Sequence, residues 1–486
     1  MSSLVAHPQI PWQRASNSSM RPVLTPKQMR VLDSETVTAG TPIDVLIGRA
    51  GAAVARTAKR MMGGLYGRTV VVVVGKGNNG ADGRMAARLL ADQGVRVHVL
   101  DAQQMPLRLP VSDLIIDAAF GTGFRGEWNP PATHGVPVLA VDIPSGVDGL
   151  TGLAVGDTWQ AARTVTFVAL KPGLLLGVGR ALSGEVELID IGINLGMGNV
   201  DINEVELADV SAWIPPRPFD SHKWKTGLYA LAGSAGMMGA ANLSVAAAMR
   251  CGAGIVHLAS PGIVSDRSTP TEVVRRSLSA FSWSEDVLED VHRFKAMVVG
   301  PGLGRDEGTV SQTRRVIAEA QVPMVIDGDG LFAVAWGGDG ARNIVRTRSA
   351  ETVLTPHDGE YQTLLGYPPS PDRIASARRL AIDTNCVCLL KGTTTVIAEP
   401  SGEVLMVTNG DQKLATAGTG DVLAGIIGGL MAQGVEAFHA AACGAWIHGH
   451  AASLFSFDEG LIASDLLDLI ATALSEIRRA VKQDER

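Results

Sequence analysis

Continuous runs of valine, isoleucine and leucine alternate along the chain with helical patterns, and this alternation predicts an α/β fold. In the first part of the sequence the predicted strands are Thr69–Val74, Val95–Leu100, Asp113–Asp117, Val138–Asp142, Arg163–Val168 and Glu185–Ile189. Because most of these runs are apolar at every position, we expect parallel strands covered by helices on both sides. Ahead of them, residues 25–62 have a helical pattern that Thr25 caps, with Pro26 at the first helical position.

A proline-rich break at Trp213–Phe219 precedes a second series of the same kind. Its predicted strands are Leu228–Ala232, Ile255–Leu258, Ala296–Val299, Met324–Ile326, Thr352–Leu354, Cys386–Leu390, Thr394–Ala398 and Val404–Val407. Its last predicted helices are Thr419–Ala432, Glu436–Leu454 and Ile462–Val481. We therefore predict two three-layer α/β domains, over residues 25–208 and 223–486, with a disordered extension over 1–24 and a linker over 209–222.

Composition is typical of a soluble α/β protein and argues against two classes of partner. The 486 residues are 46% hydrophobic and carry a net charge of −7 without a long basic run, so no nucleic-acid partner is expected. The longest apolar stretch, Val422–Gly434, is too short to span a membrane, and the first 20 residues do not resemble a signal peptide. We expect a cytoplasmic protein, for which Met20 is an alternative start. Its 4 scattered cysteines predict buried free thiols.

The stretch "VVVVGKGNNGADG" (Val71–Gly83) joins a predicted strand to a glycine-rich loop. Its glycines allow a sharp turn and can present backbone N–H groups to an anion at the start of a helix. The loop also fits the dinucleotide fingerprint G-x-G-x-x-G, so a nicotinamide dehydrogenase is one alternative, and Asp101 after the next strand is compatible with it. Asn78, Asn79 and Asp82 make the loop more polar than that fingerprint requires.

Two further polar loops follow neighbouring strands, "DAAFGTGFRGE" (Asp117–Glu127) and "VDIPSGVDG" (Val141–Gly149). Because ligands of open α/β sheets bind beyond the carboxyl ends of the strands, the three loops together predict a pocket. The side-chain oxygens of Asn79, Asp117 and Ser145 suit a monovalent cation, and Asp142 suits acid–base work. A single aspartate in such a place is often only a helix cap.

In the second half, "GTGDVLAG" sets Gly418, Thr419 and Gly420 at the start of a helix with Asp421 in its first turn. Backbone N–H groups there can receive a phosphate, and the aspartate can act as a general base. The alternative is an aspartate that only stabilises the helix dipole.

Three further segments end strands in the second half. "TPHDGE" carries His357 and Glu360, "LLKGTTT" carries Lys391, and "VVGPGLG" (Val298–Gly304) forms another glycine loop. A structural histidine and a solvated lysine are the simpler alternatives for His357 and Lys391.

The three loops of the first half resemble those of the NAD(P)H-hydrate epimerase domain, over about Thr25–Ala208. The resemblance implies a Rossmann-like fold and interconversion of the R and S forms of hydrated NADH and NADPH. It implies K⁺ at Asn79, Asp117 and Ser145, and a catalytic, substrate-contacting Asp142. The hydrate-binding residues that it implies are Asn78, Asn79, Gly80, Ala81, Asp82, Gly121, Thr122, Gly123, Phe124, Arg125, Gly126, Glu127 and Asp142. Ala81 stands where that family usually has glycine.

The second half resembles the ribokinase-like superfamily and, within it, the NAD(P)H-hydrate dehydratases. The segments that carry the resemblance are "HKWKTG", "AGSAGMMGA", "RCGAGIV", "GPGLG", "TPHDGE", "KGTTT" and "ATAGTGD", within about Trp213–Leu474. Ala417 stands where glycine is common. The resemblance implies a catalytic Asp421. It implies contact of the hydrate with Ala253, Gly302, His357 and Asp421, and of an adenine nucleotide with Lys391, Gly392, Thr393, Thr394, Thr395 and Gly420.

Together the resemblances imply a bifunctional NAD(P)H-hydrate repair enzyme that uses Mg²⁺ and K⁺. The fused domain order is that of bacterial members, so ADP rather than ATP is the expected phosphoryl donor, and AMP and phosphate are the expected products. A homo-oligomer, a tetramer or larger, is also expected. The alternatives are a ribokinase-like kinase for a vitamin precursor and a binding protein whose first half is only a scaffold. An epimerase-like module has no use in such a kinase, and the intact Asn79, Asp117, Asp142 and Asp421 argue against a scaffold.

Overall fold

The computed structural model describes residues 20–196, 200–263, 266–338 and 340–484. Up to residue 213 the elements are β1 (Arg21–Pro22), α1 (Pro26–Thr38), α2 (Ile43–Met62), β2 (Thr69–Val74), α3 (Asn78–Asp92), β3 (Arg96–Asp101), β4 (Leu114–Ala118), β5 (Val138–Val141), β6 (Arg163–Phe167), α4 (Pro172–Leu175), α5 (Gly177–Ser183), β7 (Glu185–Ile189), β8 (Ile202–Glu204) and α6 (Leu207–Trp213).

From residue 223 onward the elements are a 3₁₀ helix (Lys223–Thr226), β9 (Gly227–Leu231), α7 (Met238–Arg250), β10 (Ile255–Pro261), β11 (Val274–Leu278), α8 (Ser284–Val291), β12 (Ala296–Val299), α9 (Glu307–Glu319), β13 (Met324–Ile326), α10 (Asp329–Ala335), α11 (Asn343–Arg346), β14 (Thr352–Leu354), α12 (Asp358–Leu365), α13 (Arg373–Thr384), β15 (Val387–Leu390), β16 (Thr395–Ala398), β17 (Val404–Val407), a second 3₁₀ helix (Gln412–Leu414), α14 (Thr419–Ala432), α15 (Ala437–Ser453) and α16 (Asp465–Asp484).

The first sheet has six parallel strands in the order β3-β2-β4-β5-β6-β7. The apolar runs of β2, β4 and β5 are buried as predicted, and helices α2 and α3 pack on one face. The other face differs from the expectation of helices on both sides. Loop side chains, among them Trp128 and Trp159, cover Val71, Val73 and Ile115 there.

The second sheet has eleven strands in the order β1-β8-β17-β16-β15-β14-β13-β12-β9-β10-β11. Strands β9 to β15 are parallel to their neighbours, and β16 and β17 form antiparallel hairpins after them. Helices α7, α14 and α15 cover one face and α8, α9 and α13 the other. The carboxyl ends of β12 to β15 therefore lie side by side at one edge, where ligands of such sheets bind.

The boundary between the two domains differs from the prediction. Strands β1 and β8 come from the first half of the chain but belong to the second sheet. Strand β1 pairs with β8, and β8 pairs with β17. Val23 and Leu24 are buried, so the predicted disorder of residues 1–24 is wrong for this part, and residues 1–19 lie outside the described residues. The predicted linker over 209–222 overlaps α6, whose Ser211 hydroxyl donates to Ile477 O at 3.2 Å. The three prolines that follow this docked helix, at positions 215, 216 and 218, made the segment resemble a linker in the sequence.

Where the sequence carries a clear local signal, such as a helix cap, the structure agrees with it closely. Thr25 Oγ1 accepts a hydrogen bond from Gln28 N at 3.2 Å, and Thr25 N donates one to Gln28 Oε1 at 2.9 Å, which completes the predicted cap. The helical pattern divides into α1 and α2 at Gly40 and Pro42. The four cysteines are free and buried. No helix among the described residues is long and apolar enough to cross a membrane.

Candidate active sites

The glycines of the first loop bring backbone segments into very close contact. A Cβ on Gly75 would lie 1.9 Å from the carbonyl oxygen of Ala119, and one on Gly80 would lie 2.0 Å from the carbonyl oxygen of Gly75. A Cβ on Gly83 would clash with a side chain of β4, whereas Gly77 has open space around it. Three of the four glycines thus serve the packing of α3 against the sheet, and Gly77 is free to approach a ligand.

A cavity of about 520 Å³ opens beyond the carboxyl ends of the first sheet, between the glycine loop and helices α1 and α2. Eight residues of the predicted hydrate site line it: Asn78, Asn79, Asp82, Gly121, Thr122, Gly123, Phe124 and Asp142. The stacked rings of Phe120 and Phe124, 4.2 Å apart, form an aromatic wall. A volume of this size suits a drug-sized organic ligand.

Five residues of the predicted hydrate site are not among those that line the cavity: Gly80, Ala81, Arg125, Gly126 and Glu127. Gly80 and Ala81 lie in the first turn of α3, where the helix packs on β2. Arg125 pairs with Asp148 at 3.3 Å, and the Glu127 carboxylate accepts a hydrogen bond from Asn129 at 2.8 Å.

Asp142 occupies an unusual position at the end of β5. Its φ is +65°, a left-handed conformation that non-glycine residues seldom adopt and that is often found at functional sites. Its carboxylate accepts hydrogen bonds from Lys171 Nζ at 2.5 Å and from Thr166 Oγ1 at 3.1 Å. The sequence prediction missed Lys171. The sequence does mark this residue, because it is a single lysine in the apolar run "VALKPGLLLG" after a strand.

Two further carboxyl groups face the same cavity. Burial, together with the charges of Asp142 and Asp33, raises the pKa of Asp82 to about 8, although Lys171 opposes the shift. Burial and the charge of Asp142 also raise the pKa of Asp33. The site thus combines a lysine-paired carboxylate with the carboxyl group of Asp82, which holds its proton near neutral pH, and this is the pairing that acid–base chemistry requires. Asp33, on α1, was missed because nothing in the sequence links that helix to the loops.

Beside the cavity, the predicted cation ligands converge on buried oxygen atoms. Ser145 Oγ donates to Asp117 Oδ1 at 2.6 Å, and Asn79 Nδ2 donates to the Phe120 carbonyl at 2.9 Å. Asn79 Oδ1 is buried without a hydrogen-bond partner. Burial raises the pKa of Asp117, which has no cationic partner among the described ion pairs. An unpartnered oxygen beside a buried carboxylate is a suitable environment for a hard cation.

In the second domain, Asp421 lies in the first turn of α14, after Gly418 with a φ of +91°. Burial and the charge of Asp327 raise the pKa of Asp421 to about 7, with Asp329 and Glu360 adding to the shift and Lys391 opposing it. A carboxyl group with this pKa can take up and release a proton near neutral pH, as a general base must. The helix amino terminus beside it provides unpaired N–H groups for a phosphate.

Lys391 is held within this group of carboxylates. Its Nζ lies 2.8 Å from Asp327 Oδ1 and 3.7 Å from Glu360 Oε2. Burial alone would lower the pKa of Lys391, but the two carboxylates outweigh it and raise that pKa. A Cβ on Gly420 would lie 3.3 Å from Lys391 Nζ, so this glycine keeps the space above the ammonium group open. The sequence prediction missed Asp327 and Asp329, although both follow the end of β13 in "VIDGDGL".

The predicted hydrate contacts of the second domain are not all brought together. Gly302 follows β12 and His357 follows β14, both at the edge that holds Asp421. His357 caps α12 with Nδ1, which accepts from Gly359 N at 3.0 Å, and its Nε2 lies 3.6 Å from Glu360 Oε2.

Ala253 lies at the opposite edge of the sheet, ahead of β10, and does not join them. Its neighbour Cys251 accepts a hydrogen bond from Gln433, at the far end of α14, so roughly 18 Å of helix separates this corner from Asp421. Ala240 in the first turn of α7 is the alanine beside Gly302, because a Cβ on Gly302 would lie 3.1 Å from the Ala240 Cβ. The sequence alone could not choose between the two glycine–alanine segments.

The predicted nucleotide loop, from Lys391 to Thr395, joins β15 to β16. Arg373 Nη2 donates to the Lys391 carbonyl at 2.6 Å, and a Cβ on Gly392 would lie 3.0 Å from the same nitrogen. The Thr394 hydroxyl is directed away from the site and donates to the Leu175 carbonyl in the first domain. Thr394 as a whole is only 1% exposed, so neither its side chain nor its backbone has surface for the predicted nucleotide contact.

The two sheets and the acid–base groups at their carboxyl edges define an α/β enzyme with two active sites. Comparison with known families agrees with this class. Residues 228–475 match the family described as NAD(P)H-hydrate dehydratase, and residues 43–109 and 101–173 match the family described as YjeF-related protein N-terminus.

Whole-length relatives carry both halves in one chain. A bifunctional NAD(P)H-hydrate repair enzyme of Moorella thermoacetica is 34% identical, with 91% of this chain and 94% of the relative covered. One of Mycobacterium leprae is 36% identical, with 92% and 98% covered. This chain therefore belongs to the family of bifunctional NAD(P)H-hydrate repair enzymes.

A solved structure supports the fold of the second domain. The crystal structure of a ribokinase-like superfamily protein from Enterococcus faecalis superimposes with a TM-score of 0.51 at 25% identity, over 57% of this chain and 96% of that one. The predictions of a two-domain α/β fold and of a bifunctional repair enzyme are confirmed.

Proposed function

We propose that the first cavity binds hydrated NADH or NADPH and interconverts its R and S forms, and that the Asp421 site dehydrates the S form with ADP. The observation that carries the second assignment is the position of Asp421. It combines a helix amino terminus, a nearby lysine and a pKa of about 7 in one place.

For the first site, we assign the acid–base work to Asp142 with the help of Lys171. Epimerisation requires the hydrated ring carbon to lose and regain its oxygen on either face, which needs a proton donor and a proton acceptor. The Lys171–Asp142 pair supplies both, and the burial of Lys171 keeps the pair fixed. The Phe120–Phe124 wall offers a flat apolar surface for the ring.

We assign Asn79, Asp117 and Ser145 to a K⁺ ion, joined by the Phe120 carbonyl. The unpartnered Asn79 Oδ1 and the buried Asp117 carboxylate support the assignment. A bound K⁺ would supply a fixed positive charge beside the cavity. Its ligands lie in the first turn of α3 (Asn79), at the end of β4 (Asp117) and in the loop after β5 (Ser145), so these three segments would be held in one arrangement.

For the second site, Asp421 removes the proton from the hydroxyl of the S hydrate. The hydroxyl oxygen attacks the terminal phosphorus of ADP, and AMP leaves as the P–O bond breaks. The ring nitrogen then expels phosphate by breaking the C–O bond, and a neighbouring ring carbon loses a proton to restore the double bond. The N–H groups at the start of α14 stabilise the transferred phosphoryl group, and Lys391 stabilises the negative charge that develops beside it.

Mg²⁺ would supply charge neutralisation for the nucleotide phosphates at this site. Among the described residues no group of three or more histidine, cysteine, aspartate or glutamate side chains is arranged to hold a metal alone. One or two of the carboxylates Asp327, Asp329 and Glu360 together with phosphates and water would suffice, which is the usual mode of Mg²⁺ binding. The cytoplasmic location and the homo-oligomeric state remain part of the proposal.

The test is a repair assay on a mixture of R and S NADPH hydrate with Mg²⁺ and K⁺, followed at the absorbance of the reduced nicotinamide. Full recovery of both forms with release of phosphate is expected, and the rate with ADP is expected to exceed the rate with ATP. Recovery of the S form alone would contradict the first assignment. No recovery with either nucleotide would contradict the second and favour a kinase.

A further inference from the structure

The nucleotide loop of the second domain is held partly by the first domain. Arg180, on α5, donates one hydrogen bond to the Thr393 carbonyl and another, 2.9 Å long, to the Gly410 carbonyl. Thr393 belongs to the hairpin between β15 and β16, and Gly410 to the loop after β17. One guanidinium group from the first domain therefore bridges two adjacent loops of the second domain, both at the edge where Asp421 lies.

A second contact from the same segment reaches the hairpin. The Thr394 hydroxyl donates to the carbonyl of Leu175, at the end of α4. Leu174, Leu175 and Leu176 are buried in one apolar cluster with residues of β16 and β17. The segment that carries Arg180 is thus anchored to the second domain by apolar packing as well as by hydrogen bonds.

The Gly410 loop is also restricted in its movement on the side that faces α15. A Cβ on Gly449 of α15 would lie 2.8 Å from Gly410 N, so the loop is packed closely against that helix. Burial lowers the pKa of the Arg180 guanidinium group, and the nearby carboxylates of Glu204 and Asp411 oppose this shift. Arg180 thus completes a set of contacts that fix the Gly410 loop and the Thr393 hairpin relative to each other.

We infer that Arg180 of the first domain is a positioning residue for the nucleotide site of the second domain. This rests on the proposed function, in which the backbone of the Lys391–Thr395 hairpin binds the adenine nucleotide. Arg180 need not touch the nucleotide. It holds the hairpin in the arrangement that the nucleotide requires, so its loss allows the hairpin to move and makes binding less favourable, while Asp421 and Lys391 remain in place.

The experiment compares Arg180→Ala and Arg180→Lys in the full chain with Arg378→Ala as a matched control. Arg378 also links the two parts of the chain, through Asp201 Oδ2 at 2.6 Å and the Gly402 carbonyl at 2.7 Å. Gly402 lies between β16 and β17 at the opposite edge of the sheet, away from the nucleotide loop. Calorimetric binding of Mg·ADP and the kcat and KM of dehydration are measured for each protein, with thermal unfolding as a check on folding.

For Arg180→Ala we expect the Kd and the KM for ADP to rise about tenfold, because charged hydrogen bonds to two carbonyls are lost, with little change in kcat. Arg180→Lys is expected to fall between it and the wild type, since an ammonium group can reach one of the carbonyls. Arg378→Ala is expected to keep the wild-type KM. If Arg180→Ala does not fold, the KM for ADP of Arg180→Lys alone tests the inference.

An unchanged KM in both Arg180 variants would overturn the inference. So would an equal rise in Arg378→Ala, because general loosening of the domain contact would then explain the effect. If the wild type binds no adenine nucleotide, the proposed function fails and this inference with it. Wild-type binding combined with an unchanged KM in the variants refutes only the role of Arg180.

Discussion

Lys171 Nζ donates a 2.5 Å hydrogen bond to Asp142 Oδ1, and the lysine side chain is only 2% exposed. The pair joins the end of β5 to the segment after β6, so it fixes the floor of the first cavity. Breaking a buried ion pair by removing one partner leaves the other charge uncompensated.

Lys171→Met is therefore expected to abolish epimerisation and to lower the free energy of unfolding by about 3 kcal/mol. Epimerisation is measured as recovery of the R hydrate in the presence of an excess of dehydratase activity. Dehydration of pure S hydrate by the same variant serves as the control and should persist. Normal epimerisation by a folded Lys171→Met protein would contradict the role assigned to the pair.

Asp421→Asn is expected to reduce dehydration by about 10²- to 10⁴-fold, because the general base is removed. Epimerisation should be unaffected, since the two sites lie in different sheets. Asp468→Asn is the matched control, because Asp468 is exposed and, among the described residues, forms its ion pair with Arg250 on the surface. Phosphate release with S hydrate and ADP measures the effect. Near-normal release by Asp421→Asn would mean that another group takes the proton.

The pH dependence follows from the same residue. Its pKa is about 7 in the folded protein and 3.8 ordinarily. Below about pH 7 the carboxyl group holds its proton, so the kcat/KM of dehydration should fall about tenfold for each further pH unit. A kcat/KM that is constant between pH 5.5 and about pH 8 would exclude Asp421 as the base.

The shifted pKa also affects stability. Between about pH 4 and about pH 7 the folded state holds a proton that the unfolded state has released, so the free energy of unfolding falls as the pH rises through this range. Asp421→Asn should remove that contribution. Denaturant unfolding of both proteins, without nucleotide and Mg²⁺, measures the difference. Identical pH profiles would show that the pKa of Asp421 is not raised.

The sequence patterns predicted the secondary-structure elements well and the contacts between those elements less well. Strands β2, β12, β13, β14 and β17 have the predicted bounds, because each is a buried apolar run between turn residues. Strand β7 also has the predicted bounds, although polar and apolar residues alternate in it and none is buried. The short strands β1 and β8 were missed, since two or three residues give no periodicity, β1 pairs only with β8 among the described strands, and β17, the other partner of β8, is distant in the chain.

The same limit applies to the sites. Asp142 and Asp421 were identifiable because they end a strand or begin a helix in glycine-rich loops. Lys171, Arg180 and Asp33 act through contacts with distant segments, which a single sequence does not reveal. The rule that selected Asp117 and Asp142 at strand ends would also have selected Asp327, had it been applied to the shorter strand β13.

K⁺ should stabilise the first domain if Asn79, Asp117 and Ser145 bind it. We expect the unfolding temperature of the wild type to rise when K⁺ replaces a bulky organic cation, because a ligand that binds only the native state stabilises it. Asn79→Ala should lose this increment, since the unpartnered Asn79 Oδ1 is removed. Asn129→Ala, which removes the exposed hydrogen bond from Asn129 to Glu127, is the control. An equal K⁺ effect in Asn79→Ala would place the ion elsewhere.

A methyl group should destabilise the fold at residue 80 and stabilise it at residue 81, although the two positions are neighbours. Gly80→Ala would place a Cβ 2.0 Å from the Gly75 carbonyl, so α3 must move from the sheet, at a cost of about 3 kcal/mol or more. Ala81→Gly changes an α3 residue with no such contact and should cost about 1 kcal/mol, the usual helix penalty for glycine. Denaturant unfolding gives both values. Epimerisation should fall in Gly80→Ala, because the Asn79 side chain moves with the helix, and should remain near normal in Ala81→Gly. Equal costs for the two changes would mean that the loop relaxes freely around Gly80.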